Sequence, residues 1–255
     1  MYRVDLNCDL GESFGAYIMG MDDRVIPSIT SANVACGYHA SDPVVMEKTI
    51  ALCKANHVAV GAHPGFPDLM GFGRREMKLA PYEAKAYMLY QMGALEAFCR
   101  SAGVEMNHVK PHGALYNMAA RDASLAKAIC QAIWEFDKSL VLLALAGSEM
   151  TRAAHEMGLA VAQEVFADRG YEEDGSLVAR SRPGAMITDE DEAVKRVVRM
   201  VKEGKVMAVT GRDVPVKVDS ICIHGDGEHA LAFAQRIRDA LAASGVQLVP
   251  LRQLV

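Results

Sequence analysis

No run of apolar residues in this 255-residue sequence is long enough to cross a bilayer. The most apolar stretch, Leu140 to Ala146, falls far short of the roughly 20 residues a spanning helix needs. The amino terminus, Met1 to Asp5, begins directly in a strand-like pattern without the apolar stretch of a signal peptide, so cytoplasmic residence is expected. The six cysteines (Cys8, Cys36, Cys53, Cys99, Cys130 and Cys222) contain no C-x-x-C pair. A zinc ribbon or redox motif therefore has little support, and reduced packing residues are expected. A basic excess is missing too. The net charge of −5 argues against general nucleic-acid binding, which needs a basic stripe, although it leaves room for a local pocket of Lys and Arg. Repeats, low-complexity segments and Ser/Pro linkers are likewise missing, and so is a Walker motif.

What is present is an ordinary globular composition, 51% hydrophobic and 23% charged, in a regular alternation. Strands are expected at Tyr2–Cys8, Ile29–Cys36, His57–Ala62, Glu105–Pro111, Ser139–Leu145, Leu159–Phe166 and Ser220–His224. Helical patterns fall at Pro43–Ala55, Pro81–Ala102, Ser124–Asp137, Ser148–Met157, Asp189–Glu203 and Glu228–Ser244. Ser41 and Thr188 are placed as start signals, and Gly103, Gly158, Gly204 and Gly245 as left-handed closing residues. Such alternation implies parallel strands covered by helices. About seven units predict one α/β domain over residues 1–255, a distorted β/α barrel of TIM-like form, with an open doubly wound sheet as second choice. Two short β runs between Val206 and Val218 predict a decorating hairpin.

In a parallel barrel, chemistry collects at the carboxyl ends of the strands, and polar residues crowd there. Asp5, Asn7 and Asp9 share one face of the first strand, opposite Leu6, Cys8 and Leu10. Polar groups aimed at a barrel interior are costly to bury unless they bind something. Asp5 and Asn7 either bond to neighbouring strands or contribute to a site; Asp9, at the strand end, points to function. Asn33 and His39 follow the second strand. His63 opens a Gly- and Pro-rich loop that runs on to Arg74 and Arg75, where backbone N–H groups and positive charge suit an anion. Lys110 and His112 end the fourth strand and share a face if it continues through them. Asp168 and Arg169 follow the sixth, as a surface ion pair or as site residues. His224 and Asp226 follow the last. By contrast His57, His155 and His229 are expected to be structural or solvent-facing.

Taken in order, Asp5–Glu12, Ala32–His39, Gly61–Gly65, Gly71–Arg75, Val109–Asn117, Phe166–Arg169 and Ile221–Asp226 resemble the LamB/YcsF family over nearly the whole chain. The resemblance implies a glycoside hydrolase/deacetylase-like barrel serving as the A subunit of a prokaryotic 5-oxoprolinase, with B and C subunits as partners. Its small-molecule substrate would be 5-oxo-L-proline, opened to L-glutamate with ATP as co-substrate. No nucleic-acid or membrane partner is implied.

An unstrained lactam is a poor electrophile, and phosphorylation of its amide oxygen would make it open to water. The residues suit that chemistry. Lys110 with Arg74 or Arg75 would bind phosphoryl or carboxylate oxygens. Asp9 or His224 would be the base and His112 the acid, and Asn7, Asn33, His39, His63, Asp168, Arg169 and Asp226 would line the substrate. Alternatively Asp9, His39 and His63 would hold a divalent metal. That alternative fits a metal-dependent deacetylase-like hydrolase of a sugar or amide. A third reading is a non-catalytic subunit that binds 5-oxoproline.

Overall fold

The computed structural model describes residues 2–223 and 228–255. His224 and Asp226 lie outside the described residues. Seven parallel strands form the barrel: β1 (Tyr2–Leu10), β2 (Ser31–Ala35), β3 (Ala59–His63), β4 (Met106–Val109), β5 (Val141–Leu145), β6 (Val161–Phe166) and, after a small hairpin, β9 (Ser220–Ile223). The hairpin pairs β7 (Lys205–Met207) antiparallel with β8 (Asp213–Pro215). Closure comes at β9, which pairs with β6 on one side and β1 on the other. A further short strand, β10 (Val246–Leu248), adds to the beginning of β1 through Tyr2 to Val4. The helices, in chain order, are α1 (Asp22–Val25), α2 (Pro43–Ala55), α3 (Pro81–Ala102), α4 (Gly113–Ala119), α5 (Ala123–Asp137), α6 (Glu149–Met157), α7 (Glu190–Glu203) and α8 (Glu228–Ala243).

Local chemistry accounts for the ends of these elements. The carboxylates of Asp42 and Asp189, rather than Ser41 and Thr188, accept the first amides of α2 and α7. A carboxylate at this position satisfies orphan N–H groups and opposes the helix dipole. Gly103, Gly158 and Gly204 close α3, α6 and α7 in the left-handed conformation, which carries no Cβ penalty for glycine. Helix α4 and strand β10 are not legible as periodic patterns, because seven and three residues are too few to show a period.

The two faces of β1 explain the layering. Leu6, Cys8 and Leu10 join the apolar layer between strands and helices, with Val34, Val60, Ala62, Val109 and Ile221. Asp5, Asn7 and Asp9 point the other way, into the barrel. Asn7 reaches Glu164 of β6, two strands away, so their hydrogen bond crosses the interior. A separate small cluster of Val141, Leu143, Ala162 and Leu251 sits at the opposite end from the cavity described below. Its Leu251 belongs to a short 3-10 turn that Arg252 ties to Met106 O at the start of β4 (3.1 Å). The barrel is thus apolar at its amino-terminal end and polar along the rest of its axis. All six cysteines are free and buried. Among the described residues, no helix is long and apolar enough to cross a membrane.

Candidate active site

A column of polar side chains climbs the barrel axis and ends in a cavity of about 670 Å³ at the carboxyl ends of the strands. At its base the Asp5 carboxylate accepts from Thr30 Oγ1 (2.7 Å), Ser31 Oγ (2.6 Å) and Ser220 Oγ (2.5 Å). Burial nevertheless pushes its pKa up to about 6, the hydroxyl bonds opposing. Of the two readings of this residue, bonding to neighbouring strands is the observed one.

One layer higher, Asn7 Nδ2 donates to Glu164 Oε1 (2.9 Å) and Ser220 Oγ (2.7 Å). Asn33 Nδ2 donates to Asn7 Oδ1 and Asp9 Oδ1, both at 2.8 Å. That leaves Asn33 Oδ1 to accept from His108 Nε2 (2.7 Å), which fixes the proton of His108 on Nε2 and leaves Nδ1 without a partner. Gly61 makes the room, since a Cβ there would overlap the His108 ring.

Buried without solvent, His108 is driven down to about 3, mainly by burial and then by Lys110. The unfolded chain takes up a proton on this histidine near pH 6.5. Its contribution to stability is therefore complete above that value and is lost as pH falls toward 3. Asp5 works in the opposite sense: its raised pKa costs stability above about 6 and gives it back as pH falls toward 4. His108→Gln, which keeps a donor for Asn33, isolates the first effect. Thermal unfolding at pH 8 and pH 4.5 should show its deficit against the parent protein shrinking by about 3 kcal/mol at the lower pH. An unchanged deficit would mean that His108 is not held neutral.

Lys110 stands at the floor of the cavity, 3% exposed. Its Nζ lies 2.9 Å from Glu164 Oε1, 3.0 Å from Asp9 Oδ1, 3.2 Å from Asn7 Oδ1 and 3.3 Å from Cys222 Sγ. Burial pulls its pKa down, but the Asp9 and Glu164 carboxylates more than reverse this, so the ammonium stays charged. Burial alone would raise Asp9; His63 and Lys110 beside it hold the carboxyl well below its usual range. Tyr116 on α4 donates to the second oxygen of Glu164 (2.6 Å). Strand β4 ends at Val109, yet its ladder runs on: Lys110 N donates to Ala62 O and His112 N to Pro64 O. Lys110 and His112 therefore both line the cavity.

At the mouth, Glu12, His39, His63 and His112 bring one donor atom each to within 4.8 Å of one another. The His39 and His112 rings stack with centroids 3.6 Å apart, and Phe72 stands edge-on to both. The carboxylate in this group is that of Glu12. Asp9, expected among the ligands, gives Oδ1 to Lys110 and Asn33, with Oδ2 3.3 Å from His63 Nε2.

The predicted arginines divide between the cavity and the loop. Arg74 lines the cavity with its guanidinium 5.0 Å over the Phe72 ring. Arg75 does not; it is committed to Asp68 (Nε to Oδ1 2.9 Å) and tightens the loop. Arg169 is buried among the cavity-lining residues rather than on the surface, and donates to the backbone carbonyls of Ala185 (3.1 Å) and Val178 (2.7 Å). Its neighbour Asp168 takes Ile187 N on its backbone oxygen and is not among the cavity-lining residues. The site residues that sequence reasoning passed over are Glu12, Tyr116, Glu164, Arg121 and Arg180, the last two on the cavity wall. Glu164 had a usable signal: an acid inside a strand, in phase with Phe166.

A sequence model of the LamB/YcsF family matches residues 4–255. A Clostridium beijerinckii protein named as the A subunit of 5-oxoprolinase is 61% identical over 254 residues, covering 100% of both chains. One from Pyrococcus abyssi with the same name is 56% identical, covering 99% of each. The solved structure of a lactam utilization protein from Thermus thermophilus superposes with a TM-score of 0.92 at 48% identity, covering 97% of this chain and 99% of that one. More distantly, a structure described as T48 deacetylase with substrate shares the barrel at a TM-score of 0.51 and 15% identity.

Proposed function

Since the chain belongs to the LamB/YcsF family, we propose that it is the A subunit of a 5-oxoprolinase and that the polar cavity is where it handles 5-oxo-L-proline. The observation that carries this reading is the charged Lys110 ammonium at the cavity floor, between Asp9 and Glu164, with Arg74, Arg121 and Arg180 on the walls above. Cations at two depths suit a small lactam that carries a carboxylate at one end and develops negative charge on its amide oxygen at the other.

In the ATP-coupled form of the reaction, the amide oxygen attacks the γ-phosphorus of ATP and ADP leaves. Water then adds to the resulting imidate carbon, the ring C–N bond breaks as the nitrogen takes up a proton, and a second water hydrolyses the γ-glutamyl phosphate so formed to glutamate and phosphate. Lys110 is placed to hold the phosphoryl or carboxylate oxygens. Asp9, ionised at the edge of the cavity, is the base that takes a proton from water, and its depressed pKa makes it a weak one. His112 fits the role of acid less well than the sequence suggested, because its Nε2–H is already given to Phe72 O (2.8 Å). Glu164 and Tyr116 hold Lys110 in place. The B and C subunits complete the enzyme.

The test is co-expression with candidate B and C subunits, with glutamate release measured with and without ATP. ATP-dependent release that disappears when this chain is omitted is expected. Glutamate formation independent of this chain would overturn the proposal. Chelator-sensitive hydrolysis of an amide or an acetylated sugar by this chain alone would favour the deacetylase-like alternative.

A further inference from the structure

The geometry points to a metal centre: we propose that Glu12, His39, His63 and His112 together bind one divalent first-row transition-metal ion, with Asp9 outside the ligand set. The argument starts from where the imidazole protons must be. His63 Nδ1 lies 2.7 Å from Lys110 O, and His112 Nε2 lies 2.8 Å from Phe72 O. A backbone carbonyl can only accept, so each of these nitrogens carries its ring's proton. The other nitrogen of each ring is then a bare lone pair, and the two bare nitrogens face each other at 3.0 Å. Two lone pairs at that distance repel unless a positive species lies against both.

His39 distinguishes an ion from a shared proton. It is fully buried, and neither of its ring nitrogens has a hydrogen-bond partner. Buried polar atoms are almost always satisfied, and its Nε2 lies 3.5 Å from the Glu12 carboxylate. A proton between His63 and His112 would leave both His39 nitrogens unsatisfied; an ion among the four donors engages one nitrogen of His39 together with the other three ligand atoms. The surroundings agree. Metal-bound histidines characteristically donate their second N–H to a backbone carbonyl or carboxylate, as His63 and His112 do. Glycines also keep the rings clear, since a Cβ on Gly65 would stand 2.6 Å from His39 Nδ1, and one on Gly73 would stand 2.7 Å from His39 Cβ and 2.8 Å from His112 Cδ2. Three neutral imidazoles and one carboxylate suit zinc, manganese, iron or cobalt better than calcium or magnesium, which prefer all-oxygen sites.

The test reads metal content, so it is independent of whether the chain acts on 5-oxoproline. The purified full-length chain is stripped with chelator and equilibrated with zinc, manganese or cobalt chloride. Bound metal is then measured by elemental analysis, alongside the thermal midpoint and, for cobalt, the visible spectrum. About one equivalent of at least one metal, a raised midpoint and nitrogen-ligated cobalt bands are expected. Glu12→Gln and His39→Gln should weaken binding by on the order of a hundredfold, whereas Asp9→Asn should keep it. Failure of the parent chain to retain any of the three metals would overturn the proposal, as would loss of metal in Asp9→Asn with retention in Glu12→Gln.

Discussion

Lys110→Met in the assembled enzyme is expected to cut glutamate release by about a hundredfold to a thousandfold, the scale seen when a preorganised charge donor is removed from an active site. It should also destabilise the chain. Nζ is shared by the half-buried Asp9 and the fully buried Glu164 carboxylates, and removing one partner from a buried ion pair leaves uncompensated charge costing about 3–5 kcal/mol. The surroundings of Lys110 make it part of the fold as well as of the site. The double variant Lys110→Met/Glu164→Gln separates the two effects. It takes away one stranded charge while leaving an acceptor and donors for Asn7 and Tyr116, so much of the stability should return while turnover stays lost. Urea unfolding of the chain and glutamate release by the complex measure the two quantities. Near-parental turnover in Lys110→Met would remove Lys110 from the chemistry.

Asp9→Asn is expected to lose about a hundredfold to ten-thousandfold in turnover, the span of general-base contributions, with stability changed by no more than about 1 kcal/mol. The amide keeps an oxygen for Lys110 and Asn33, which now take Oδ1 at 3.0 Å and 2.8 Å. What disappears is the capacity to take a proton. Because the carboxyl is held well below its usual range, the parent enzyme should keep this base ionised through ordinary acidic pH. Turnover of the variant within a few-fold of the parent would assign the base elsewhere.

The contrast between these two neighbours shows where sequence reading reaches its limit. Alternation along β1 was enough to place Asp5, Asn7 and Asp9 on one face, because strand side chains alternate whatever the fold around them. Its place at the strand end marked Asp9 for function, but nothing local told that Asp5 is consumed by three hydroxyls. Ser31, Thr30 and Ser220 come from elements whose register with β1 is set by strand pairing. Likewise Arg74 and Arg75 are indistinguishable as letters. Only the turn at Gly71 and the reach of Asp68 assign Arg75 to the loop and leave Arg74 at the cavity. Glu164 was passed over because its phase in the strand does not reveal its partners Asn7, Lys110 and Tyr116, which lie between 48 and 157 residues away in the chain.

By itself the amino-acid order determined the alternation of strands and helices, the barrel class, the positions of most strand ends and membership of the family, since each rests on local periodicity or on contiguous motifs. The tertiary structure alone decided that Glu12 rather than Asp9 completes the histidine cluster, that Lys110 is locked between two carboxylates, and which tautomers His63 and His112 adopt. Those outcomes depend on distances between groups far apart in the chain and on which backbone carbonyls face each ring, and barrel closure sets both.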